Sequence, residues 1–250
     1  MSGHSKWHNI RLRKGKQDAL KGKLFTKIAR EIIVAAKEGG GNPDSNLALR
    51  LAIQKAREAS MPQENIKRAI QRGTGEIEGA NYEEVTYEGY GSAGVAVLVS
   101  CLTDNRNRTV AELRNTFSKN GGNLGESGCV AWMFDKRGLV QIPKDKADEE
   151  TVMMATLDAG AEDIRTDDDT IEVLCQPEDL PKVREAITAA GIEYTSAEVT
   201  MLPKNTVRIE DSKEASRILK LMDALEDNDD VQNAYANFDI PDEILQEVAG

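Results

Sequence analysis

The spacing of apolar residues changes from a helical to a strand period across a glycine-rich linker, residues 73–81, and this change most constrains the fold. Before the linker, apolar side chains recur every three or four residues over 23–38, over 45–59 and over a shorter stretch after Pro62. Such stripes predict three amphipathic helices that pack as a small bundle. After the linker, short apolar runs such as 95–102 are typical of central strands. A helical domain is therefore expected to precede a sheet-containing region.

The region after the linker predicts two interleaved sheet domains. Residues 139–202 follow the order strand, helix, strand, strand, helix, strand, which is the order of a ferredoxin-like domain. Strand-like runs at 129–134 and 206–209 lie on either side of it, and we predict that both belong to a second ferredoxin-like domain that the first interrupts.

The predicted fold class is thus α+β and multidomain, with a helical N-terminal three-helix domain plus two ferredoxin-like α+β domains, one inserted in the other. The predicted boundaries are 1–22 for a basic N-terminal arm, 23–75 for the helical domain, 82–135 with 204–240 for the discontinuous ferredoxin-like domain and 138–203 for the inserted one.

Positive charge is concentrated at the N-terminal end of an acidic chain. Residues 1–72 contain 16 Lys and Arg against 6 Asp and Glu, whereas the whole chain has a net charge of -11. Eight of these cations lie in residues 1–27, together with Trp7, His4 and His8. Salt screens exposed charges over about 8 Å, so distant acidic surface barely weakens this patch. The pattern indicates polyanion binding, and a solvated leader is the alternative that charge alone leaves open.

The predicted helical domain extends this basic region. Five cations fall on its surface, off the apolar stripes: Lys55, Arg57, Lys67, Arg68 and Arg72. Taken singly, each is typical of a solvated helical face. Taken together with the preceding basic residues, they indicate one continuous basic face.

The segment TDNRNRT, residues 103–109, allows two interpretations. Asp104 and Asn105 are good helix N-caps, so the segment predicts a helix start with Arg106 and Arg108 solvated. Alternatively, the two guanidinium groups and a helix N-terminus together suit a phosphate group. The sequence leaves both interpretations open.

Catalytic, metal and membrane functions are not indicated. Cys101, Cys129 and Cys175 form no C-x-x-C pair, so neither a zinc site nor a disulfide framework is expected, and a reducing compartment fits. The acidic turns at 167–169 and 227–230 lack EF-hand spacing. No order of nucleophile and base and no nucleotide fingerprint is visible, so no catalytic residue, metal, cofactor or small-molecule substrate is predicted. No apolar run is long enough to span a membrane.

Several motifs occur together in a fixed order along most of the chain. They are GHSKW (3–7), Asn9-Ile10, Arg13-Lys14, Gln17-Asp18, Phe25-Thr26-Lys27, Arg30-Glu31-Ile32, GGGNPDSN (39–46), MPQENIKRAI (61–70), YEGYG (87–91), TDNRNRT (103–109) and GGNLGESG (121–128). Together they closely resemble the YebC/PmpR family, whose members are described as probable transcriptional regulators and whose organellar relatives act as translational activators. The resemblance implies a three-domain architecture and a cytoplasmic nucleic-acid-binding regulator.

Residues and resemblance together predict a nucleic-acid-binding regulator of gene expression that is not an enzyme. The first hypothesis is a DNA-binding transcriptional regulatory protein, and the alternative is an RNA- or ribosome-associated translation factor. The oligomeric state stays open. The predicted nucleic-acid-binding residues are Lys6, Trp7, Arg11, Arg13, Lys14, Lys16, Lys21, Lys23, Lys27, Arg106 and Arg108.

Overall fold

The computed structural model describes residues 17–167 and 169–249, with side chains over 22–167 and 169–248. In chain order, the helices are α1 Gln17–Gly39, α2 Leu47–Glu58, α3 Gln63–Gly73, α4 Arg106–Lys119, α5 Glu149–Thr156, α6 Leu180–Ala189, α7 Ser212–Glu226 and α8 Asp242–Ala249. The strands are β1 Glu83–Tyr90, β2 Ala96–Thr103, β3 Asn123–Leu124, β4 Phe134–Pro143, β5 Ala161–Thr166, β6 Thr170–Cys175, β7 Ser196–Pro203, β8 Val207–Arg208, β9 Val231–Ala236 and β10 Phe238–Asp239. The predicted fold class, α+β with a helical N-terminal region before the sheets, is confirmed.

The described residues fall into two compact units. One contains Trp132–Arg208 and Asn237–Asp239, and the other contains the residues before Trp132, Ile209–Ala236 and those from Ile240 onward. The helical bundle and the sheet of β1, β2, β3 and β9 belong to the second unit, and the sheet of β4 to β7 belongs to the first. No helix in the described ranges is long and apolar enough to cross a membrane.

The helical bundle forms where the sequence predicts it, and α1 reaches further towards the N-terminus than the predicted 23–38. Its core includes the fully buried Ile28, Ile32 and Leu49. A Cβ atom added to Gly73 would lie 2.4 Å from the Ile33 carbonyl oxygen. The end of α3 therefore approaches the backbone of α1 more closely than any other residue type permits.

Asn46 joins α1 to α2 through three hydrogen bonds. Its side-chain oxygen accepts from the Leu49 N–H at 3.0 Å, so Asn46 is the N-cap of α2. Its amide nitrogen donates to the carbonyl oxygens of Ala35 at 2.7 Å and Gly40 at 2.8 Å. An ionised carboxylate has no donor for these carbonyls, which explains the position of the amide.

The sheet of the second unit has the order β3-β1-β2-β9 with antiparallel neighbours. Helices α4 and α7 contact each other and the strands of this sheet. The elements of this domain follow the chain order strand, strand, helix, strand, helix, strand, so the β1–β2 hairpin supplies both central strands of the sheet. We predicted that the 206–209 strand would belong to this sheet, and that prediction is wrong. The strand forms as β8, which pairs in parallel with β10. The β1–β2 hairpin, paired over all eight residues of each strand, already fills the central position.

The strand predicted at 129–134 is also wrong, because a buried carboxylate takes its backbone donors. Glu88 of β1 accepts hydrogen bonds from the N–H groups of Gly128 at 2.6 Å, Val130 at 2.7 Å and Ala131 at 2.7 Å. Burial alone would raise the pKa of Glu88, but these backbone donors lower it below its ordinary value. The segment therefore wraps around the carboxylate, and only Phe134 enters a strand, as the first residue of β4.

The sheet of the first unit has the order β5-β6-β4-β7, and every neighbouring pair is antiparallel. This is the strand order of a ferredoxin-like domain built from one continuous segment. Helices α5 and α6 contact each other, and their inward residues Val152, Val183 and Ile187 join Val140 and Val173 in a fully buried core. Strand β4 begins several residues before the predicted 139–142 because it pairs with β7 from Phe134 onward.

Candidate nucleic-acid interface

The predicted site residues divide into those that the structure describes and those that it does not. Lys6, Trp7, Arg11, Arg13, Lys14 and Lys16 lie outside the described residues, and Lys21 lies on α1 with its side chain undescribed. The side chains of Lys23, Lys27, Arg106 and Arg108 are described. All four make contacts within the chain.

The two lysines of α1 lie against the C-terminal end of α7. Lys23 Nζ is 3.2 Å from Asp227 Oδ1 and 3.3 Å from the Asp227 carbonyl oxygen. Lys27 Nζ donates to the Glu226 carbonyl oxygen at 2.8 Å. Cations are stabilised at this end of a helix by its dipole and its unpaired carbonyl groups. These lysines therefore help to dock the helical bundle on the adjacent α+β domain.

Arg30 makes the most buried of these contacts, with its side chain 12% exposed. Its Nη1 is 2.9 Å from Asp230 Oδ1 and donates to the carbonyl oxygens of Leu102, at 3.2 Å, and Asp229. The guanidinium lies 5.0 Å from the centre of the Tyr82 ring. The ion pair of Arg30 was not predicted, since no local spacing in the sequence links this residue to an acidic residue 200 positions away.

Arg108 completes the cluster around Asp230. Its Nη2 is 2.8 Å from Asp230 Oδ2 and 2.8 Å from Asp104 Oδ1. The Thr109 hydroxyl also donates to Asp230 at 2.7 Å. Burial would raise the pKa of Asp230, but the hydrogen bonds from Arg108 and Thr109 outweigh it and hold the pKa below its ordinary value. Asn105 caps α4, as predicted, by accepting from the Arg108 N–H at 3.1 Å. Arg108 is thus committed to a structural ion pair.

Arg106 forms a more exposed and weaker ion pair. Its Nη2 is 2.6 Å from Glu83 Oε2, but the two side chains are 59% and 45% exposed. Exposed pairs of this kind contribute about 0–1 kcal/mol, so a phosphate group can replace Glu83 at little cost. Of the two arginines in this segment, Arg106 is the one available to an external anion.

The exposed face of α2 and α3 carries a group of cations. Among the side chains that the structure describes, Arg57, Lys67, Arg68 and Arg72 are exposed and make no ion pair, whereas Lys55 pairs with Glu31 at 2.8 Å. On α3, Arg68 and Arg72 are four residues apart and Lys67 is adjacent, so they share the face opposite the buried Ile66 and Ala69. We call Arg57, Lys67, Arg68 and Arg72 the cationic face.

A groove between α2 and α3 lies beside the cationic face. Its apolar lining includes Ile53, Ile66 and Ile70, and its polar lining consists of Arg57, Gln63, Lys67, Gln71 and the acidic Glu76. Cationic and amide side chains and one carboxylate therefore border its apolar residues. The sequence pattern indicated the cationic face but gave no sign of this groove, because its two sides come from different helices.

Metal-ligating side chains and thiols were also compared in the described part of the chain. They contain no group of three or more His, Cys, Asp or Glu that could hold a metal ion. Burial raises the pKa of the Cys101 thiol to about 12 and that of Cys175 to about 11, so both thiols stay protonated near neutral pH.

These features define a class of α+β proteins in which a cationic helical bundle precedes two sheet domains. The family profile described as "TACO1/YebC protein N-terminal domain" matches residues 5–76, and the one described as "TACO1/YebC second and third domain" matches residues 82–238. The chain belongs to the TACO1/YebC family.

Full-length relatives share this organisation. A protein of Persephonella marina, named "Probable transcriptional regulatory protein", is 56% identical over 250 residues and is covered over its whole length, as is this chain. A protein of Dictyoglomus turgidum with the same name is 58% identical with the same full coverage. The crystal structure of a conserved hypothetical protein from Aquifex aeolicus matches with a TM-score of 0.82 and 48% identity, covering 92% of this chain and 94% of that one. The family is thus one of regulatory proteins.

Proposed function

We propose that this protein regulates gene expression by binding duplex DNA through the cationic face of α2 and α3 together with the basic residues of 6–21. The observation that carries the proposal is the set of exposed cations without ion pairs on the described part of the bundle, in a chain of net charge -11. In the described part of the chain, acidic side chains or helix-end carbonyls occupy Lys23, Lys27 and Arg108. Phosphate contacts therefore fall to the cationic face, the predicted residues from Lys6 to Lys21, and Arg106.

The composition of α3 favours DNA. The helix has 11 residues, or about 16 Å, and presents Gln63, Lys67, Arg68, Gln71 and Arg72 away from the bundle core, together with one acidic residue, Glu64. Arg, Lys and Gln are side chains that read base edges, and the major groove of B-DNA admits an α-helix. The deep, narrow major groove of an RNA duplex does not. The proposal includes a role in transcription regulation in the cytoplasm, and the names of the relatives support its regulatory part.

Salt dependence tests the proposal. With about five phosphate contacts, the slope of log affinity against log salt is near -4.5, and affinity falls roughly 500-fold between 50 and 200 mM salt. The variant K67Q/R68Q/R72Q should make the slope less steep by about 2.7, because each lost phosphate contact removes about 0.9. Fluorescence anisotropy with a labelled DNA duplex measures both quantities.

The control has the same charge change on another helix. Lys213, Arg217 and Lys220 of α7 are exposed and make no ion pair among the described side chains. The variant K213Q/R217Q/K220Q should keep the original slope. Equal slopes in both triple variants would refute the role of the cationic face.

A ribosome- or RNA-associated translation factor is the second candidate. Trp7, His4 and His8 lie among the cations of residues 1–27, and unpaired RNA bases stack on such rings. Single-stranded RNA should then bind more tightly than duplex DNA at matched salt, and Trp7→Ala should weaken RNA binding selectively. A Trp7→Ala variant that loses nothing on RNA would exclude this route.

A further inference from the structure

The outer face of α5 is apolar and exposed. Val152 and Thr156 point into the core of the first unit and are fully buried, whereas Met153, Met154 and Leu157 are 45%, 78% and 67% exposed. Residues 153 and 157 are four positions apart, and residue 154 is adjacent, so the three side chains share one side of the helix and its following turn. Isolated exposed apolar residues are ordinary, but three that adjoin form a surface that water solvates poorly. We call these three residues the methionine face.

Acidic residues border the methionine face on both sides. Glu150 lies four positions before Met154 and Asp158 four positions after it, and both are exposed. Between Lys146 and Arg165 the chain carries six acidic residues and no Lys or Arg. Residues 138–203 as a whole contain 16 acidic and 5 basic residues. Any molecule that covers this face meets a strongly negative rim.

We propose that the methionine face binds a basic amphipathic helix of a partner protein. A partner stripe with apolar residues at i, i+3 or i+4, and i+7 matches the three apolar side chains, and Lys or Arg beside that stripe complements Glu150 and Asp158. Methionine side chains are flexible and polarisable, which suits such a contact. This surface is distinct from the cationic face, and the inference does not depend on the proposed binding of DNA.

The rim argues against the other occupants. Nucleic acid would place phosphates against Glu150 and Asp158. A second copy docked through the same face about a two-fold axis would place each acidic rim against its equivalent. A basic helix alone satisfies the apolar side chains and the charges together.

Methyl NMR on the full-length protein, with 13C-labelled methionine methyl groups, tests the proposal. The probe is a synthetic peptide of about 18 residues, five helical turns, with Leu on one face and Lys elsewhere. A shuffled peptide of the same composition keeps the charge without the stripe. We expect the probe to shift the Met153 and Met154 signals, to leave those of the buried Met61 and Met222 in place, and to bind at least about tenfold tighter than the shuffled peptide, as loss of one apolar anchor would predict.

Paired variants separate the methionine face from other exposed apolar residues. M154Q/L157Q should weaken probe binding at least about tenfold, whereas L47Q/L51Q, at the exposed Leu47 and Leu51 of α2, should not change it. The proposal is overturned if the shuffled peptide binds equally, or if M154Q/L157Q binds as the unaltered protein does. It is also overturned if the same methyl signals move with protein concentration alone, with added nucleic acid, or with a peptide of this chain's own residues 1–27 that displaces the probe.

Discussion

At the scale of single residues, Asp230 is the most heavily bonded charge that the structure describes. Its side chain is 4% exposed and contacts Arg30 from α1 and Arg108 from α4, and it accepts from the hydroxyl groups of Thr103 and Thr109. A buried carboxylate is tolerated only when such partners replace its lost hydration. Because Arg30 and Arg108 come from different domains, one residue links the helical bundle to the adjacent sheet domain.

Replacing Asp230 with Asn should lower the free energy of unfolding by about 3–5 kcal/mol, because Arg30 would remain buried without an anion. The same change at the exposed partner of Arg106, Glu83→Gln, should cost less than about 1 kcal/mol. Urea unfolding measures both. The contribution of Asp230 to stability also depends on pH. Since the folded-state pKa of Asp230 is lowered, its contribution to the free energy of unfolding is present above the unfolded pKa of about 3.9 and is lost as pH falls through the folded value. The difference in free energy of unfolding between the original protein and D230N should therefore become smaller in acid. A difference that stays constant down to acid pH would contradict this account.

At the scale of secondary-structure elements, the α1–α2 corner depends on Asn46. The side chain is 6% exposed, caps α2 and also satisfies two carbonyl groups at the end of α1. By comparison, Asn105 caps α4 from an exposed position with a single bond to the Arg108 N–H. The orientation of α2, which carries Arg57 of the cationic face, is therefore set by one amide.

Asn46→Ala should destabilise the protein by about 2–4 kcal/mol, the sum of a lost cap and of carbonyl groups left buried without donors. Asn105→Ala should cost about 1 kcal/mol, since only the cap is lost. Thermal unfolding of the two variants compares them directly. Equal losses would mean that the Ala35 and Gly40 carbonyls find other donors.

At the scale of the whole molecule, the two sheets differ in how the chain builds them. The sheet of β4 to β7 comes from one continuous segment and closes its own core with α5 and α6. The sheet of β1, β2, β3 and β9 needs α7 and β9, which return after that segment ends. Folding of the second sheet therefore requires contacts between residues far apart in sequence.

A fragment of residues 132–208 should fold alone and unfold cooperatively, because it contains a complete sheet and core. A fragment of residues 80–131 should not, since it lacks the edge strand β9 and the helix α7. Circular dichroism during thermal unfolding and amide hydrogen exchange would distinguish them. Absence of a cooperative transition in the first fragment would contradict its independence.

The sequence was sufficient to predict the elements that form through interactions between residues close together in the chain. The stripes over 23–38 and 45–59, the cap at Asn105 and the fold class follow from side-chain period and capping chemistry, which act within a few residues. The charge pattern also predicted the exposed cations of the bundle, because Lys and Arg side chains are mostly exposed to solvent whichever residues lie near them. The resemblance to the YebC/PmpR family was confirmed by the family profiles.

Pairing between distant residues was decided by the tertiary structure alone. The apolar run at 206–209 predicts a strand but does not indicate which strand it pairs with. The β1–β2 hairpin occupies the centre of its sheet, and the 207–208 strand pairs with β10 instead. Residues 129–134 have strand-like composition, yet the N–H groups of Val130 and Ala131 donate to Glu88 and not to a neighbouring strand. Likewise, Arg30 and Arg108 form ion pairs with Asp230. A buried carboxylate takes the nearest strong donors in space, and that nearness is a property of the folded chain and not of spacing along it.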